Sequence, residues 1–168
     1  AFFYNDTTII EVNEPIHFYD ASTKNAKTFL WEFGDGTTSK EENPTHKYSD
    51  TGYFDVELIV SNNERIDSFK IEKCVYILPE LIADFDYKIT MSVFPVKVEF
   101  INKSQGNIDS LEWNFDDYNK STDYNPTHYY KVNDTFTVNL KVYSMQYIRE
   151  ASKQIIINST QSELDLKE

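Results

Sequence analysis

The sequence predicts an all-β protein built as two β-sandwiches in tandem, and three observations support this prediction. Hydrophobic and polar residues alternate over short segments, as at Phe54, Val56 and Leu58, which is the two-residue period of a half-buried strand. Polar turn segments recur about every 8–12 residues, a spacing typical of β-sandwiches. Finally, one block of sequence occurs twice, which indicates one folded unit in two copies.

The two copies of this block are separated by a constant 82 positions. Trp31-Glu32-Phe33 corresponds to Trp113-Asn114-Phe115, and Asn43-Pro44 corresponds to Asn125-Pro126. Because the separation is the same for core and loop residues, we expect both copies to fold in the same way.

The boundary between the copies is placed at Pro79, because proline cannot continue a central strand. The first domain then spans residues 1–79, the second spans residues 80–160, and an acidic tail follows at residues 161–168. Apolar alternation predicts strands in both domains. In chain order these are Ile16 to Phe18, Phe29 to Phe33, Tyr53 to Val60, Phe69 to Ile77, Val96 to Ile101, Leu111 to Phe115, Phe136 to Val142 and Arg149 to Ile157.

The composition is that of an acidic globular protein, with 40% hydrophobic residues, 15% aromatic residues and a formal net charge of −12. This charge disfavours binding to nucleic acid and to anionic membranes. No apolar run approaches the ~20 residues that cross a bilayer, so direct membrane insertion is not expected. The first residues lack the basic start and apolar core of a signal peptide, so export would require a leader outside this sequence.

The repeated block resembles the PKD (polycystic kidney disease) domain, whose hallmark is Trp-x-Phe-Gly-Asp-Gly, then Asn-Pro-x-His-x-Tyr, then Gly-x-Tyr/Phe-x-Val-x-Leu. The first copy matches nearly throughout, whereas the second lacks the glycines. The resemblance implies an immunoglobulin-like sandwich of about seven strands per copy. It also implies a non-catalytic module of extracellular proteins, used as spacer, adhesion unit or binding surface. The motif residues are Trp31, Phe33, Asp35, Asn43, Pro44, His46, Tyr48, Trp113, Phe115, Asp117, Asn125, Pro126, His128 and Tyr130.

The motif residues have physical roles that follow from their types and positions. Alternation places Trp31 between the sheets, as the largest core residue. Asp35 is expected to cap backbone amides of its turn, and Asn43 to cap a second turn. His46 is either a ligand or proton carrier, or a hydrogen-bonding residue that ties a loop to the sheet. Because His128 repeats it, and catalytic sites are rarely duplicated with their whole loop, the structural role is favoured.

The copies differ most in the turn that follows the motif tryptophan. Gly34 is replaced by Asp116, and Gly36 is replaced by Tyr118. The glycines permit positive φ, aspartate tolerates it at some strain, and the tyrosine indicates a reshaped turn.

Two groups of aspartates are candidate calcium ligands, because calcium is a hard cation that needs several oxygen ligands. Asp116 and Asp117, with Asp123 nearby, form the first group, and Asp84 and Asp86 at the junction form the second. Neither group has the fixed spacing of a calcium loop. No cofactor is therefore predicted, and calcium remains the one alternative.

The aromatic content, with 12 Tyr and 12 Phe, exceeds what two small cores require. The candidate partner-binding residues are Tyr53, Tyr118, Tyr124 and Tyr129, since exposed tyrosines stack on sugars or anchor a protein partner. The alternative is an exposed sheet face on which aromatic residues favour strand formation. Cys74, the only cysteine, excludes an intrachain disulfide and is expected to be a passive surface or edge residue.

Duplicated scaffold motifs without a recognisable site predict a non-catalytic extracytoplasmic module, periplasmic or at the cell surface. Its expected role is spacing, adhesion or protein–protein recognition in a larger bacterial envelope or surface assembly. A composition rich in Lys, Asn, Ile and Tyr suggests a bacterium with an AT-rich genome. The alternative is a carbohydrate-binding accessory module of a secreted hydrolase. A third hypothesis is an exported enzyme with an unrecognised carboxylate site.

Overall fold

The structure is a computed structural model and describes residues 1–23 and 26–159. The acidic tail predicted at residues 161–168 lies outside the described residues. The chain divides into two compact units, unit 1 at Ala1–Glu80 and unit 2 at Leu81–Glu168. The regular secondary structure of the described part is β-strand. No helix capable of spanning a membrane occurs in that part.

Unit 1 is a sandwich of two sheets. Its strands are β1 (Phe3–Asn5), β2 (Ile9–Glu11), β3 (Ile16–Asp20), β4 (Thr28–Glu32), β5 (Thr38–Ser39), β6 (Thr45–His46), β7 (Gly52–Ser61) and β8 (Ile66–Leu78). One sheet has the order β1-β3-β6 and the other has the order β2-β8-β7-β4-β5. The short strand β2 runs parallel to β8, whereas the remaining neighbours are antiparallel.

Unit 2 repeats this arrangement. Its strands are β9 (Phe85–Met91), β10 (Val96–Asn102), β11 (Ser110–Asn114), β12 (Lys120–Ser121), β13 (Thr127–Tyr130), β14 (Asp134–Ser144) and β15 (Tyr147–Ile157). The sheet orders are β13-β10-β9 and β12-β11-β14-β15. These sheets contain antiparallel pairs only.

Aromatic residues from both sheets fill the space between the sheets of each unit. Trp31 is fully buried, and its ring lies 5.1 Å from Phe3 and 5.8 Å from Phe18, measured between centroids. In unit 2 Trp113 is buried in the same way against Phe85 and Phe100. Each unit is therefore an immunoglobulin-like β-sandwich, and the predicted fold class is confirmed.

The predicted strands form in the structure with ends that differ by at most three residues, whereas several short or exposed strands were not predicted. β4 and β11 each begin and end one residue earlier than predicted. β2 has three residues, which is too short for apolar alternation to appear. In β9 the first residue is buried and the other six are exposed. Its sequence therefore lacks the in–out burial pattern by which strands are recognised.

The position of Cys74 corrects the prediction of a surface or edge residue. Val56 in β7 pairs with Ile71 in β8, but Phe54, two residues earlier, pairs with Val75. Two positions of β7 therefore match four positions of β8, which is a bulge. The bulge turns the Cys74 side chain into the core, where it is 5% exposed. Simple alternation failed because it assumes an uninterrupted strand.

Candidate functional site

In each unit the motif histidine is bonded to the motif aspartate. Nε2 of His46 lies 2.7 Å from Oδ2 of Asp35, and Nε2 of His128 lies 2.7 Å from Oδ2 of Asp117. The His46 imidazole also stacks on Phe33, with centroids 4.1 Å apart and planes 7° apart. Asp35 lies in the turn after β4 and His46 lies in β6. The pair therefore joins a turn of one sheet to a strand of the other.

Several donors hold Asp35 as an anion. Its Oδ1 accepts the Thr37 N–H at 2.9 Å and the Thr37 hydroxyl at 2.6 Å. Burial raises the pKa of the Asp35 carboxyl, but hydrogen bonds from Thr37 and His46 outweigh burial and leave that pKa below its ordinary value. The pKa of Asp117 is lowered in the same way, because hydrogen bonds from its histidine and from Asn119 outweigh burial.

The arrangement around His46 differs from a hydrolase triad. In a triad one ring nitrogen of the histidine contacts the acid while the other faces the nucleophile. Here Nε2 of His46 contacts Asp35 and also lies 3.4 Å from the Thr37 hydroxyl. That hydroxyl donates to Asp35. In unit 2 Asn119 stands where unit 1 has Thr37, so the repeated motif carries no repeated nucleophile.

The buried motif aromatics satisfy backbone carbonyls. The indole N–H of Trp31 donates to the carbonyl of Glu41 at 2.9 Å, and the Tyr48 hydroxyl donates to the carbonyl of Phe33 at 3.0 Å. Burial raises the pKa of Tyr48, so it remains a donor. In unit 2 the same bonds join Trp113 to Asp123 at 3.0 Å and Tyr130 to Phe115 at 3.1 Å.

The motif asparagine bonds to a neighbouring strand in addition to opening a turn. Oδ1 of Asn43 accepts the N–H of Asp20, at the end of β3, at 2.9 Å. Oδ1 of Asn125 accepts the N–H of Asn102, at the end of β10, at 2.8 Å. The following prolines extend this contact through their carbonyls, which accept N–H groups of β3 and β10 at 2.9 Å. The sequence does not indicate the two asparagine bonds, because each joins residues that are 23 positions apart.

The turn at which the copies differ keeps its backbone shape and changes its side chains. Gly34 and Gly36 have φ values of 82° and 88°, and Asp116 and Tyr118 have φ values of 64° and 70°. Oδ2 of Asp116 accepts the N–H of Thr137 at 2.8 Å, which compensates part of its strain. The Tyr118 side chain is fully exposed. Both replacements therefore lie in the left-handed region. The backbone of Tyr118 is strained, and its side chain does not pack in the core.

The candidate calcium ligands are bonded to groups of the protein. Asp116 and Asp117 accept the Thr137 and His128 bonds already described. Asp84 and Asp86 lie 3.1 Å and 3.3 Å from the ammonium of Lys153. No cluster of three or more metal-ligating side chains occurs in residues 1–23 and 26–159. Lys153 was not singled out from the sequence, because only the fold brings β15 beside the start of β9.

The four candidate tyrosines are exposed and lie on different elements. Tyr53, in β7, is 60% exposed, yet its ring stacks on Tyr76 at 4.4 Å and lies 5.5 Å from the Lys73 ammonium. Tyr118 follows β11, Tyr124 precedes β13, and Tyr129 lies within β13. Tyr118 is the most exposed of the four.

Comparisons with known proteins find the same repeated motif family in this sequence. A family model for the PKD domain matches residues 4–71 and 79–156. Collagenase ColA of Bacillus cereus is 49% identical over 61 residues, which is 34% of this chain and 6% of the collagenase. Collagenase ColA of Clostridium perfringens is 40% identical over 63 residues, again 6% of its length. This chain thus spans a small fraction of these relatives.

Among solved structures, the ectodomain of mouse nectin-like molecule 4 aligns over 96% of this chain and 65% of that chain, with 9% identity and a TM-score of 0.47. The PKD model, in contrast, matches the same motif in both units and most of the chain. The chain therefore belongs to the PKD domain family and contains two PKD domains in tandem.

Proposed function

We propose that the chain is a non-catalytic extracytoplasmic module that serves in adhesion or protein recognition within a larger bacterial surface or envelope assembly. The PKD family membership supports this role, since the resemblance implies extracellular spacer and binding modules. The collagenase similarity also supports an accessory role, because it covers 6% of each of the two enzymes. The paired motif residues act as scaffold.

The observation that carries the recognition role is Tyr118. A bulky residue at φ 70° has backbone strain that the glycine of the first copy avoids. Because the ring is fully exposed, packing within the described chain does not offset this strain. Tyrosine is a frequent anchor of protein interfaces, where it buries a large area at low entropic cost. Tyr118 is therefore the proposed anchor for a protein partner.

Insoluble collagen fibrils are the first partner to test, because two relatives are collagenases. We expect the chain to sediment with the fibrils without releasing soluble peptides. Tyr118→Ser should lower the retained fraction at least fivefold, whereas Tyr118→Phe should keep it. Tyr4→Ser, at an exposed tyrosine of unit 1, is the matched control and should retain wild-type binding.

Two results would overturn this proposal. Equal retention of Tyr118→Ser and the wild type would remove Tyr118 as the anchor. Hydrolysis of the fibrils, abolished by a point change outside the core, would show a catalytic function.

The carbohydrate-binding alternative is favoured by Tyr124, which borders a hollow of about 330 Å³ together with Ile108 and Leu111. Tyr53 is less suited to stacking on a sugar, because its ring already contacts Tyr76 and Lys73. Retention on a polysaccharide column that is lost in Tyr124→Ser would support this alternative. A lack of retention across a glycan array would exclude it.

A further inference from the structure

The outer face of the five-stranded sheet in unit 1 carries two adjacent rows of cross-strand neighbours. In the first row, Leu30 of β4 lies opposite Ile59 of β7. In the second row, Glu32 lies opposite Glu57, which in turn lies opposite Lys70 of β8. Leu30 and Ile59 are half-buried and Glu32 is exposed. This face therefore presents an apolar strip beside an acidic strip.

The two glutamates of the acidic strip lie directly opposite each other on β4 and β7. Like charges directly opposite on antiparallel strands destabilise a sheet. Lys70, the cation of this row, pairs with Asp55 at 2.8 Å. Within the described part of the chain, neither the Glu32 nor the Glu57 side chain forms a hydrogen bond or an ion pair, although the Glu57 charge helps to raise the pKa of Lys70, after the larger effect of Asp55. Three carboxylates, of Glu32, Asp55 and Glu57, and one ammonium, of Lys70, therefore leave this face with a net negative charge.

Unit 2 shows that the fold does not require this pattern. At the positions of Glu32 and Glu57 it carries Asn114 and Asn139, which also lie opposite each other. The apolar strip is replaced by a row of alternating charge, Glu112, Lys141 and Glu150. The charges of that row are paired, at 2.9 Å between Lys141 and Glu150 and at 2.9 Å between Glu112 and Lys120. The imbalance is therefore particular to unit 1.

A groove of about 370 Å³ opens on this face and is lined by Glu32, Tyr53, Glu57 and Lys70, among others. Its volume lies at the lower end of the range of about 300–1,000 Å³ for ligand pockets. Both glutamates border it, and Lys70 in its lining is held by Asp55, which also lines the groove. A further cation that enters the groove therefore meets the carboxylates of Glu32 and Glu57.

We propose that this face docks a basic segment of a partner protein. One arginine or lysine side chain enters the groove between Glu32 and Glu57, and an apolar neighbour packs on Leu30 and Ile59. The cation removes the repulsion between the two carboxylates, and a guanidinium can bond to both at once. The charge of the face and the adjacent apolar strip together select a basic, amphipathic occupant.

This inference rests on the proposed function, because it names the chemistry of a partner for a recognition module. It shares no residue with the turn that carries Tyr118. Fibril retention tests that turn, whereas a basic peptide tests the sheet face, so the failure of one proposal is distinguishable from the failure of the other.

The test is a titration of the ¹⁵N-labelled full chain with Ac-Gly-Arg-Gly-NH₂, followed by amide chemical shifts. The same peptide with citrulline in place of arginine is the neutral control. We expect saturable shifts at Glu32, Gly34 and Glu57 with arginine, weakened by salt, and none with citrulline. Shifts scattered over the acidic surface, or equal shifts with both peptides, would overturn the proposal.

A matched pair of double variants completes the test. Glu32→Gln with Glu57→Gln should weaken the peptide affinity at least fivefold while leaving the urea midpoint unchanged or higher. Glu112→Gln with Glu150→Gln removes the same charge from unit 2 and should leave the affinity unchanged. Equal weakening in both variants would show that net charge alone attracts the peptide. A lower urea midpoint in the first variant would show a structural role for the glutamates. Either result contradicts a docking site on this face.

Discussion

Nε2 of His46 lies 2.7 Å from Oδ2 of Asp35, and this contact joins the two sheets of unit 1 at the turn after the motif tryptophan. The same distance separates the equivalent histidine and aspartate in unit 2. The most conspicuous titratable groups of the motif therefore hold the sandwich together in both copies. This relationship makes the stability of the chain dependent on the charge of Asp35.

Acid is expected to weaken unit 1 through Asp35. Because the folded-state pKa of this carboxyl lies below the ordinary value of 3.8, its contribution to stability is complete above that value. The contribution is lost as the pH falls through the folded-state pKa. Asp35→Asn should cost about 1.5–3 kcal/mol at pH 7 and less at pH 3. Urea denaturation at both pH values measures this, and an equal difference at both values would contradict it.

The two glycines of the first turn differ in the space available for a side chain. A Cβ on Gly34 would collide with the carbonyl oxygen of Asp55, whereas a Cβ on Gly36 would meet no atom within 4 Å. Gly36→Ala should therefore cost only the left-handed strain, about 1–2 kcal/mol. Gly34→Ala should cost at least about 1 kcal/mol more, because overpacking is added. The free energies of unfolding of the two variants measure this, and equal costs would contradict it.

The turn was predictable from the sequence only in part. Asp116 and Tyr118 in place of glycines indicated an altered turn, since residue type limits backbone conformation. The sequence did not indicate the bond from the Asp116 carboxylate to the Thr137 amide, because that bond depends on the neighbouring strand. The unpaired Glu32 and Glu57 also escaped prediction, since their opposition depends on the register of two strands.

The core residue Cys74 is expected to resist thiol reagents in the folded chain. Burial, with a smaller effect of the Asp55 charge, raises the pKa of its thiol to about 11. The reactive thiolate is then ~100-fold scarcer at pH 8 than for an ordinary thiol. Labelling with iodoacetamide should be slow in buffer and fast in urea. A similar rate in both conditions would show an exposed thiol and contradict the bulge in β8.

The two motif tryptophans are expected to be equally important to their units. Both are fully buried, and both donate to a loop carbonyl. Trp31→Ala and Trp113→Ala should each cost about 3–5 kcal/mol. Urea denaturation followed by circular dichroism measures this, with Tyr4→Ala as the exposed control. A cost below about 1 kcal/mol for either tryptophan would contradict its place in the core.

The fold class and the core positions of the motif residues followed well from the sequence, because the tryptophan, phenylalanine and tyrosine positions repeat at a fixed separation. The bulge in β8 did not, since two extra residues change which side chains face inward without leaving an apolar signature. Lys153 escaped prediction for a related reason. Its contacts with Asp84 and Asp86 join segments that are far apart in the chain.

The central claim is that motif residues stabilise the fold, whereas residues at which the copies differ recognise the partner. Tyr118→Gly tests this claim most directly, by urea denaturation and fibril retention on the same sample. Glycine relieves the left-handed strain, but it also raises the conformational entropy of the unfolded chain, which offsets part of the gain. The free energy of unfolding should therefore rise by about 0.5–1 kcal/mol. Retention should fall at least fivefold. Unchanged retention, or a loss of stability together with retention, would contradict the claim.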